Sequence, residues 1–394
     1  MNIYIFEDQR ALDLEPVTLT RPSFEIRCGA LTCIERLNLL LPDDTIHLIV
    51  RNELVDITRE TFPGISVNPD IVDEGVWLLG NALWDEDSIE LIKNSNGVGF
   101  YFGEIFCGGY LSKDSGESWM DEGGPCKCSV NEDHEKNNIE LNVIQYLWNA
   151  VSLTNDQVEK DLKYFSEYTN SKDGLIIHDS VVVGEGVVID TSNGPVIIAQ
   201  DSVIKPLSYI EGPAYIGENC VIEPMTQIKG GSSIGPVCKL GGEVNSVVIQ
   251  GWSNKVHDGH LGDAYLGQWV NLGAGTVNSN LKNNYSDIDV MVNGIMTSTG
   301  SKHIGCFMGD HVKTAIGTTL NTGTVIGPGS NIVATGFPPK TIPPFSWCVG
   351  SKIRSIRWDA FIETAKVVKS RRGLEMTQAE EQLLDQINRQ KKTK

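Results

Sequence analysis

A six-residue step runs through the second half of the chain. Counted from position 198, Ile198, Ile204, Ile210, Ile216, Ile222, Ile228, Ile234 and Leu240 are all aliphatic, with Gly212, Gly217, Asn219, Pro224, Gly230 and Gly235 between them. The step begins earlier, at Ile177, Val183 and Ile189, and slips across Ser192-Asn193-Gly194-Pro195. It continues at Leu266 and Leu272 and, after an interruption, at Met308, Thr314, Leu320, Ile326 and Ile332. This period matches neither a helix nor a single half-buried strand. It matches short strands wound into a β-helix, each aliphatic pointing inward onto the next coil. A coil leaves its edge open, so it is stable only as part of a stack. Ordinary β-hairpins are the alternative, and they do not hold a fixed step over so many repeats.

The flanks read differently. IYIFE and TIHLIV are short apolar runs suited to buried strands, and LTCIERLNLLL reads as the helix between them. VWLLGNALW is a further strand followed by a turn. IELNVIQYLWNAV is apolar at helical spacing, and NDQVEKDLKYF continues it as helix. Alternating strands and helices indicate an α/β layer domain over residues 1–168. NSKDG, 170–174, ends the linker to a β-helix domain over 174–350. In the tail, 351–394, WDAFIETAKVVKSRR is an amphipathic helix with basic residues at its C-terminal end. Thr377 and Glu380 form a capping box for a last helix, AEEQLLDQINRQ.

Composition narrows the function. A chain of 394 residues exceeds one ordinary core. A net charge of −19 repels a nucleic acid, so no such partner is expected. No apolar run is long enough to span a membrane, and MNIYIFEDQR reads as a first strand rather than a signal peptide. The nine cysteines show no repeated CxxC framework; Cys126 and Cys128 form a lone CxC. Reduced thiols in a cytoplasmic protein are the expectation.

The repeat resembles the hexapeptide-repeat, left-handed parallel β-helix; the handedness comes from that resemblance, because the usual rule for parallel crossovers predicts the opposite hand. The stretch SNKVHDGHLGDAYLGQWVNLGAGTVNSNL, 253–281, resembles the acetyltransferase half of the bifunctional GlmU family, which makes UDP-N-acetylglucosamine. The front of the chain, IFEDQRALDLEPVTLTRPSFEIRCGALT, is similar to a divergent bacterial branch of that family, GlmU-like sugar nucleotidyltransferases. The resemblance implies an α/β nucleotidyltransferase-like domain, a β-helix acyltransferase domain and a homotrimer. It implies a sugar phosphate, a nucleoside triphosphate with Mg2+, and acetyl-CoA as partners.

The same resemblance assigns residues. His257 becomes the base that deprotonates an amine attacking the thioester, and Glu243 orients the amine or the imidazole. His260 stands where the family has a tyrosine and becomes a pocket wall. Lys255 attracts an anionic phosphate, while Asn271, Ala274, Gly275 and Asn280 line the acetyl-CoA or acceptor site. The family's sugar-phosphate arginine and lysine are replaced by Gln227 and Asn245. The glycine-rich phosphate loop after the first strand is missing, which leaves Arg21 and Arg27 as candidates for phosphate contact. Asn81 falls where an aspartate usually holds magnesium, with Asp85 or Asp87 to compensate. Other readings stay open: a turn histidine without chemistry at 257, or zinc held by His257, His260, His303 and His311. So do a chain with one active domain and a non-catalytic trimeric scaffold or sensor.

Overall fold

The computed structural model describes residues 1–130, 134–172, 174–334 and 336–391. Asp173, within the expected linker NSKDG, lies outside them. Contacts divide the chain into two compact units. The first is Met1–Leu14, Arg21–Ile26 and Leu31–Gln145; the second is Glu15–Thr20, Arg27–Ala30 and Tyr146–Lys394.

The first unit is built on a seven-stranded sheet. Its strands are β1 (Asn2–Phe6), β2 (Thr45–Ile49), β3 (Ser66–Val67), β4 (Gly75–Leu79), β5 (Val98–Phe102), β6 (Ile105–Leu111) and β7 (Glu135–Asn138), in the order β7-β5-β6-β4-β1-β2-β3. β1 runs parallel to both β2 and β4, and β6 is antiparallel to β4 and β5. Ile3, Tyr4, Ile5 and Phe6 are all buried, as expected of a strand covered on both faces. Helix α1 (Cys33–Leu40) follows a capping box in which Thr32 Oγ1 accepts from the Glu35 amide and Glu35 accepts from the Thr32 amide. Because β2 and β4 lie on opposite sides of β1, the connections leave in opposite directions. That arrangement opens a crevice at the carboxyl ends of the strands. Glu7-Asp8 and Gly80-Asn81 stand there.

Residues 139–146 differ from the helical reading. Ile139, Leu141 and Val143 are buried, alternating with exposed Glu140 and Asn142, and Asn142–Val143 pairs antiparallel with Ala82–Leu83. Alternation of this kind is a strand pattern. The next helix named, α2, starts only at Leu147 and runs to Asp161. It belongs to the second unit, where Trp148 packs on Phe307 and buried Asp161 accepts from the Ala30 amide. By contacts, the compact units therefore divide at Tyr146.

The second unit is the parallel β-helix. Ile198, Ile216, Ile234, Ile249, Leu266, Met308, Ile326 and Ile342 stack in register on one face. Ile204, Ile222 and Leu240 stack on a second, and Ile210, Ile228 and Val244 on a third. All belong to one buried core. The apparent slip at 192–195 is a longer turn, since Ile177 still pairs with Ile198. The interruption after Leu272 is an excursion from the coil that includes a hairpin, Asp289–Val292 with Ile295–Ser298. Polar residues enter the stack as well, Thr314 in register with Leu272 and Ile332 among them. Lys255 pairs with Leu240, and Asn278 holds the Gly262 backbone through Oδ1 and Nδ2, each at 2.8 Å.

Two helices complete the unit, α3 (Trp358–Ser370) and α4 (Gln378–Lys391). Thr377 Oγ1 accepts from the Glu380 amide, as the capping motif predicts. The Glu380 carboxylate goes elsewhere, to Lys369, with His311 3.8 Å away.

The inward stack predicts a sharp contrast between two aliphatic truncations. Ile228→Ala should cost about 2–5 kcal/mol, as for other buried methyl-group deletions. Val182→Ala, at a position 59% exposed, should stay within about 0.5 kcal/mol. Denaturant midpoints of the two variants check this.

Candidate functional site

Outward residues of the β-helix are placed by its inward ones. In β8 (Gln227–Lys229), β9 (Glu243–Gly251) and β10 (His260–Gln268), Ile228, Val244 and Leu261 point into the core. Their neighbours alternate outward. Gln227 pairs with Glu243 and Glu243 with His260, while Lys229 pairs with Asn245 and Asn245 with Gly262. Glu243 and His260 are thus adjacent on the outer face by register alone.

The side chains use that adjacency. Lys229 Nζ lies 2.6 Å from Glu243 Oε1, and His260 Nδ1 lies 3.5 Å from Glu243 Oε2. The Lys229 hydrogen bond, and then the His260 charge, hold the Glu243 carboxyl below the usual carboxylate value. A side chain at Gly262 would find its Cβ 2.6 Å from His260 Nε2 and 2.9 Å from Asn280 Nδ2. Only the bare glycine lets both polar groups converge there. Asn280 Nδ2 in turn donates to Asp263 Oδ2 at 2.5 Å. Burial raises the Asp263 pKa, opposed by Asn280.

His257 is exposed on the turn before this cluster, and among the described residues its ring makes no hydrogen bond or ion pair. Lys255, expected from the resemblance to attract an anionic phosphate, is not at the surface. It is buried at an interior position, and its Nζ donates to the carbonyls of Gly241 at 2.7 Å and His257 at 3.0 Å. The β-helix core claims it because it lies in register with Leu240. Its role here is to tie together the turns that carry His257 and Glu243. Burial lowers its pKa to about 8.

The expected acetyl-CoA residues lie on the following coil. Asn271 is exposed, and its Oδ1 accepts from Asn254 at 3.4 Å; Asn254 also accepts from Arg372. The Gly273-Ala274-Gly275 turn stacks tightly on the next coil, with the Ala274 carbonyl accepting from the Gly317 amide at 2.7 Å. Gly275 has φ +68°, a left-handed conformation that favours glycine.

In the first unit, a cavity of about 310 Å3 lies beyond the end of β1, lined in part by Asp8, Arg10, Tyr101, Glu104, Trp119 and Lys136. The Arg10 amide donates to Asp8 Oδ1 at 2.9 Å and its guanidinium pairs with Asp8 Oδ2. Burial raises the Asp8 pKa, and Arg10 opposes the shift. Glu7 is fully buried and committed, accepting from the Ser23 amide and from the Arg51 amide and Nε. Arg21 is buried in this unit. Arg27 is not part of it. Its Nη1 donates to the Ala30 carbonyl at 2.6 Å, its amide donates to Tyr265 Oη, and its guanidinium lies over Tyr215. The arginine expected to meet phosphate anchors the β-helix unit instead.

Asn81 is 2% exposed and its amide donates to the Ile144 carbonyl at 2.8 Å. That bond uses Nδ2 and leaves Oδ1 as the Asn81 oxygen for a cation, a weaker ligand than a carboxylate. Among the described residues no group of three or more His, Cys, Asp or Glu side chains is placed to hold a metal. The zinc alternative fails in particular at His311, which is buried beside Glu380. Sequence reasoning missed Lys229, Asp263 and Gly262. The six-step count contained the signal for Lys229, because it follows inward Ile228 by one residue.

Comparison with known proteins adds to this geometry. Residues 3–169 match the family described as sugar nucleotidyl transferase. A bifunctional sugar-1-phosphate nucleotidylyltransferase/acetyltransferase of Sulfurisphaera tokodaii is 39% identical over 137 residues, 34% of this chain and 34% of the relative. The chain therefore matches about a third of the length of that curated relative. Among solved structures, an N-acyltransferase variant of Bacillus cereus in complex with dTDP-4-amino-4,6-dideoxyglucose and coenzyme A aligns at 12% identity and TM-score 0.19, covering 49% of this chain and 87% of that one. The Arabidopsis UDP-N-acetylglucosamine acyltransferase aligns at 13% identity and TM-score 0.21, covering 49% and 76%.

Lys255 supplies a pH test of the site's scaffold. Its folded-state pKa, about 8, lies below the ordinary 10.5 of the unfolded chain. Between those values the unfolded state holds a proton that the folded state has lost, so stability from this group rises with pH. Relative to Lys255→Met, the wild type should gain about 3 kcal/mol between pH 8 and pH 10.5. Urea midpoints of both proteins at several pH values check this, and a difference independent of pH contradicts it.

Proposed function

On the premise that the chain is GlmU-like, with residues 3–169 a sugar nucleotidyl transferase domain, we propose a bifunctional transferase. The first unit transfers a nucleotidyl group to a sugar-1-phosphate and releases pyrophosphate. The β-helix unit transfers an acetyl group from acetyl-CoA to an amino-sugar phosphate. The observation that carries the second half is the pairing of Glu243 with a histidine on the outer face of the coil. Acetyl transfer needs a group to accept the amine proton, donors for the oxyanion and a site that keeps water from the thioester. The resemblance offers His257 as the proton acceptor, and the geometry offers His260.

For the first half, the cavity beyond β1 supplies Arg10 and Lys136 as cations at the carboxyl ends of the strands, where open α/β sheets bind ligands. Magnesium is proposed only as the ion that accompanies the triphosphate. Asp8 is the carboxylate that would hold it. A second reading, with only the β-helix unit active, is favoured by the commitment of Glu7 to Arg51 and of Asn81 to Ile144.

A homotrimer is part of the proposal. Leu207 and Met225 are 64% and 69% exposed at adjacent corners of the coil, an apolar ridge suited to subunit packing. The compartment proposed is the cytoplasm, in keeping with cysteines that form no disulfide. Among the described residues no helix is long and apolar enough to cross a membrane.

CoA release and pyrophosphate release, measured separately over a panel of sugar and amino-sugar phosphates, test the proposal. Glu243→Gln should lower CoA release by about 10²-fold and spare pyrophosphate release. Arg10→Ala should do the reverse. Loss of both activities in either variant contradicts the division of labour, and absence of pyrophosphate release from the wild type selects the second reading.

A further inference from the structure

We propose that the C-terminal end of the β-helix unit holds a binding site of its own, for a small organic carboxylate with an apolar or aromatic body. The inference does not rest on the transferase reading. Its ground is a cavity of about 350 Å3 between the outer face of the last coils and the start of α3. That volume lies in the range of small-molecule sites. Both sides of the cavity belong to the second unit.

Strand register builds the floor. In β11 (Lys313–Thr314), β12 (Asn331–Val333) and β13 (Ser346–Val349), the residues Thr314, Ile332 and Cys348 are buried in the coil. The residues before them turn outward and stack in register, Lys313 against Asn331 and Asn331 against Trp347. All three line the cavity. The opposite wall comes from the start of α3, with Arg357, Phe361 and Thr364. Phe361 is buried, with ring centroids 5.0 Å from Phe345 and 5.8 Å from His311, so this wall is anchored on the coil. Trp347 is 42% exposed, a large ring left partly uncovered beside it.

Lys313 gives the cavity its charge. An ammonium carries three N–H donors. Among the described residues, Lys313 Nζ donates to the His311 carbonyl at 3.3 Å and meets no carboxylate. Other inner lysines are better matched: Lys369 pairs with Glu380, and Lys255 has two carbonyls within 3.0 Å. Burial lowers the Lys313 pKa to about 8, with no neighbouring anion opposing the shift. A cation withdrawn from water with so few partners is costly. A carboxylate in the cavity supplies both the missing charge and the missing acceptors. The Asn331 amide, next in register, is a donor for its second oxygen. Trp347 and Phe361 then cover the apolar body of the ligand.

The site is separate from the polar face at Glu243 and His260. Those residues flank the inward column of Val244 and Leu261, whereas Lys313 flanks the column of Leu272 and Thr314 on another face of the coil. Asn271, expected to touch acetyl-CoA, stands in register with Lys313. Its Oδ1 accepts from Asn254, and it is not among the described residues that line the cavity. A monoanion suits the cavity better than a phosphate dianion, which is matched by a guanidinium fork or several amides. The one guanidinium here, that of Arg357, belongs to an exposed residue and attracts the anion to the mouth.

The test is calorimetric titration of the full chain with phenylbutyrate, its neutral amide, phenyl phosphate and CoA. Phenylbutyrate should bind once per chain, and the amide should bind about tenfold more weakly or worse. Lys313→Met should weaken phenylbutyrate by a similar factor, and circular dichroism shows whether the fold is kept. The wild type alone gives a second readout. Its affinity for phenylbutyrate should be about tenfold lower at pH 9 than at pH 7, because an ammonium that titrates at about 8 is mostly neutral there. The other groups facing Lys313 keep their charge over this range. His311, whose pKa burial lowers, stays neutral, Glu380 beside it stays ionised, and the Arg357 guanidinium stays charged. Saturating CoA should leave the affinity unchanged. Absence of phenylbutyrate binding overturns the inference, and so does equal affinity for the amide. Tighter binding of phenyl phosphate overturns the carboxylate assignment. Displacement by CoA overturns the separate site and returns the cavity to the co-substrate, with the transferase reading untouched.

Discussion

Stacking of aliphatic side chains inside the coil is the constraint on which the rest of the second unit depends. Ile228, Val244 and Leu261 are buried one above another, and their burial sets the register of the strands that carry them. A register slip of one residue would turn every side chain to the opposite face. The apolar core forbids that slip. Gln227, Glu243 and His260 are therefore aligned on the outside by residues that take no part in chemistry. Hydrophobic burial contributes on the order of 2 kcal/mol for each such side chain, far more than the exposed ion pair it positions.

Two exceptions inside the core bear on the site. Lys255 and Asn278 stand at interior positions and satisfy backbone groups rather than apolar contacts. A buried ammonium or amide is costly unless hydrogen-bonded, and both are. Each holds a turn or strand end next to the histidines. The coil gives up uniform packing at the places where its outer face carries polar function. In the first unit the corresponding feature is the reversal of strand order at β1, which leaves Asp8 and Arg10 at the rim of a cavity.

Much of this was legible from the chain. The six-step count located the inward residues from Ile198 to Leu240 and the later run from Met308 to Ile332, and the structure buries them as read, with Thr314 the polar member. IYIFE and TIHLIV form neighbouring strands in the first sheet. The errors have physical causes. Ile139, Leu141 and Val143 fit a helical count as well as a strand count over a short window, and pairing with Ala82–Leu83 decided between them. Arg27 and Lys255 read from sequence as cations for a phosphate, whereas each is buried with specific hydrogen bonds, a rare place for a charge. The pairing of Glu243 with His260 needed the length of the coil between them. That length departs from three steps of six between Val244 and Ile249, inward residues that stand five apart, and a fixed six-step does not report it.

A crystal structure with CoA and glucosamine-1-phosphate bound tests most directly whether the core register builds a substrate site on the outer face of the coil at Glu243 and His260. The sugar phosphate is expected against Glu243 and His260. A sugar phosphate bound away from both residues would contradict the central claim.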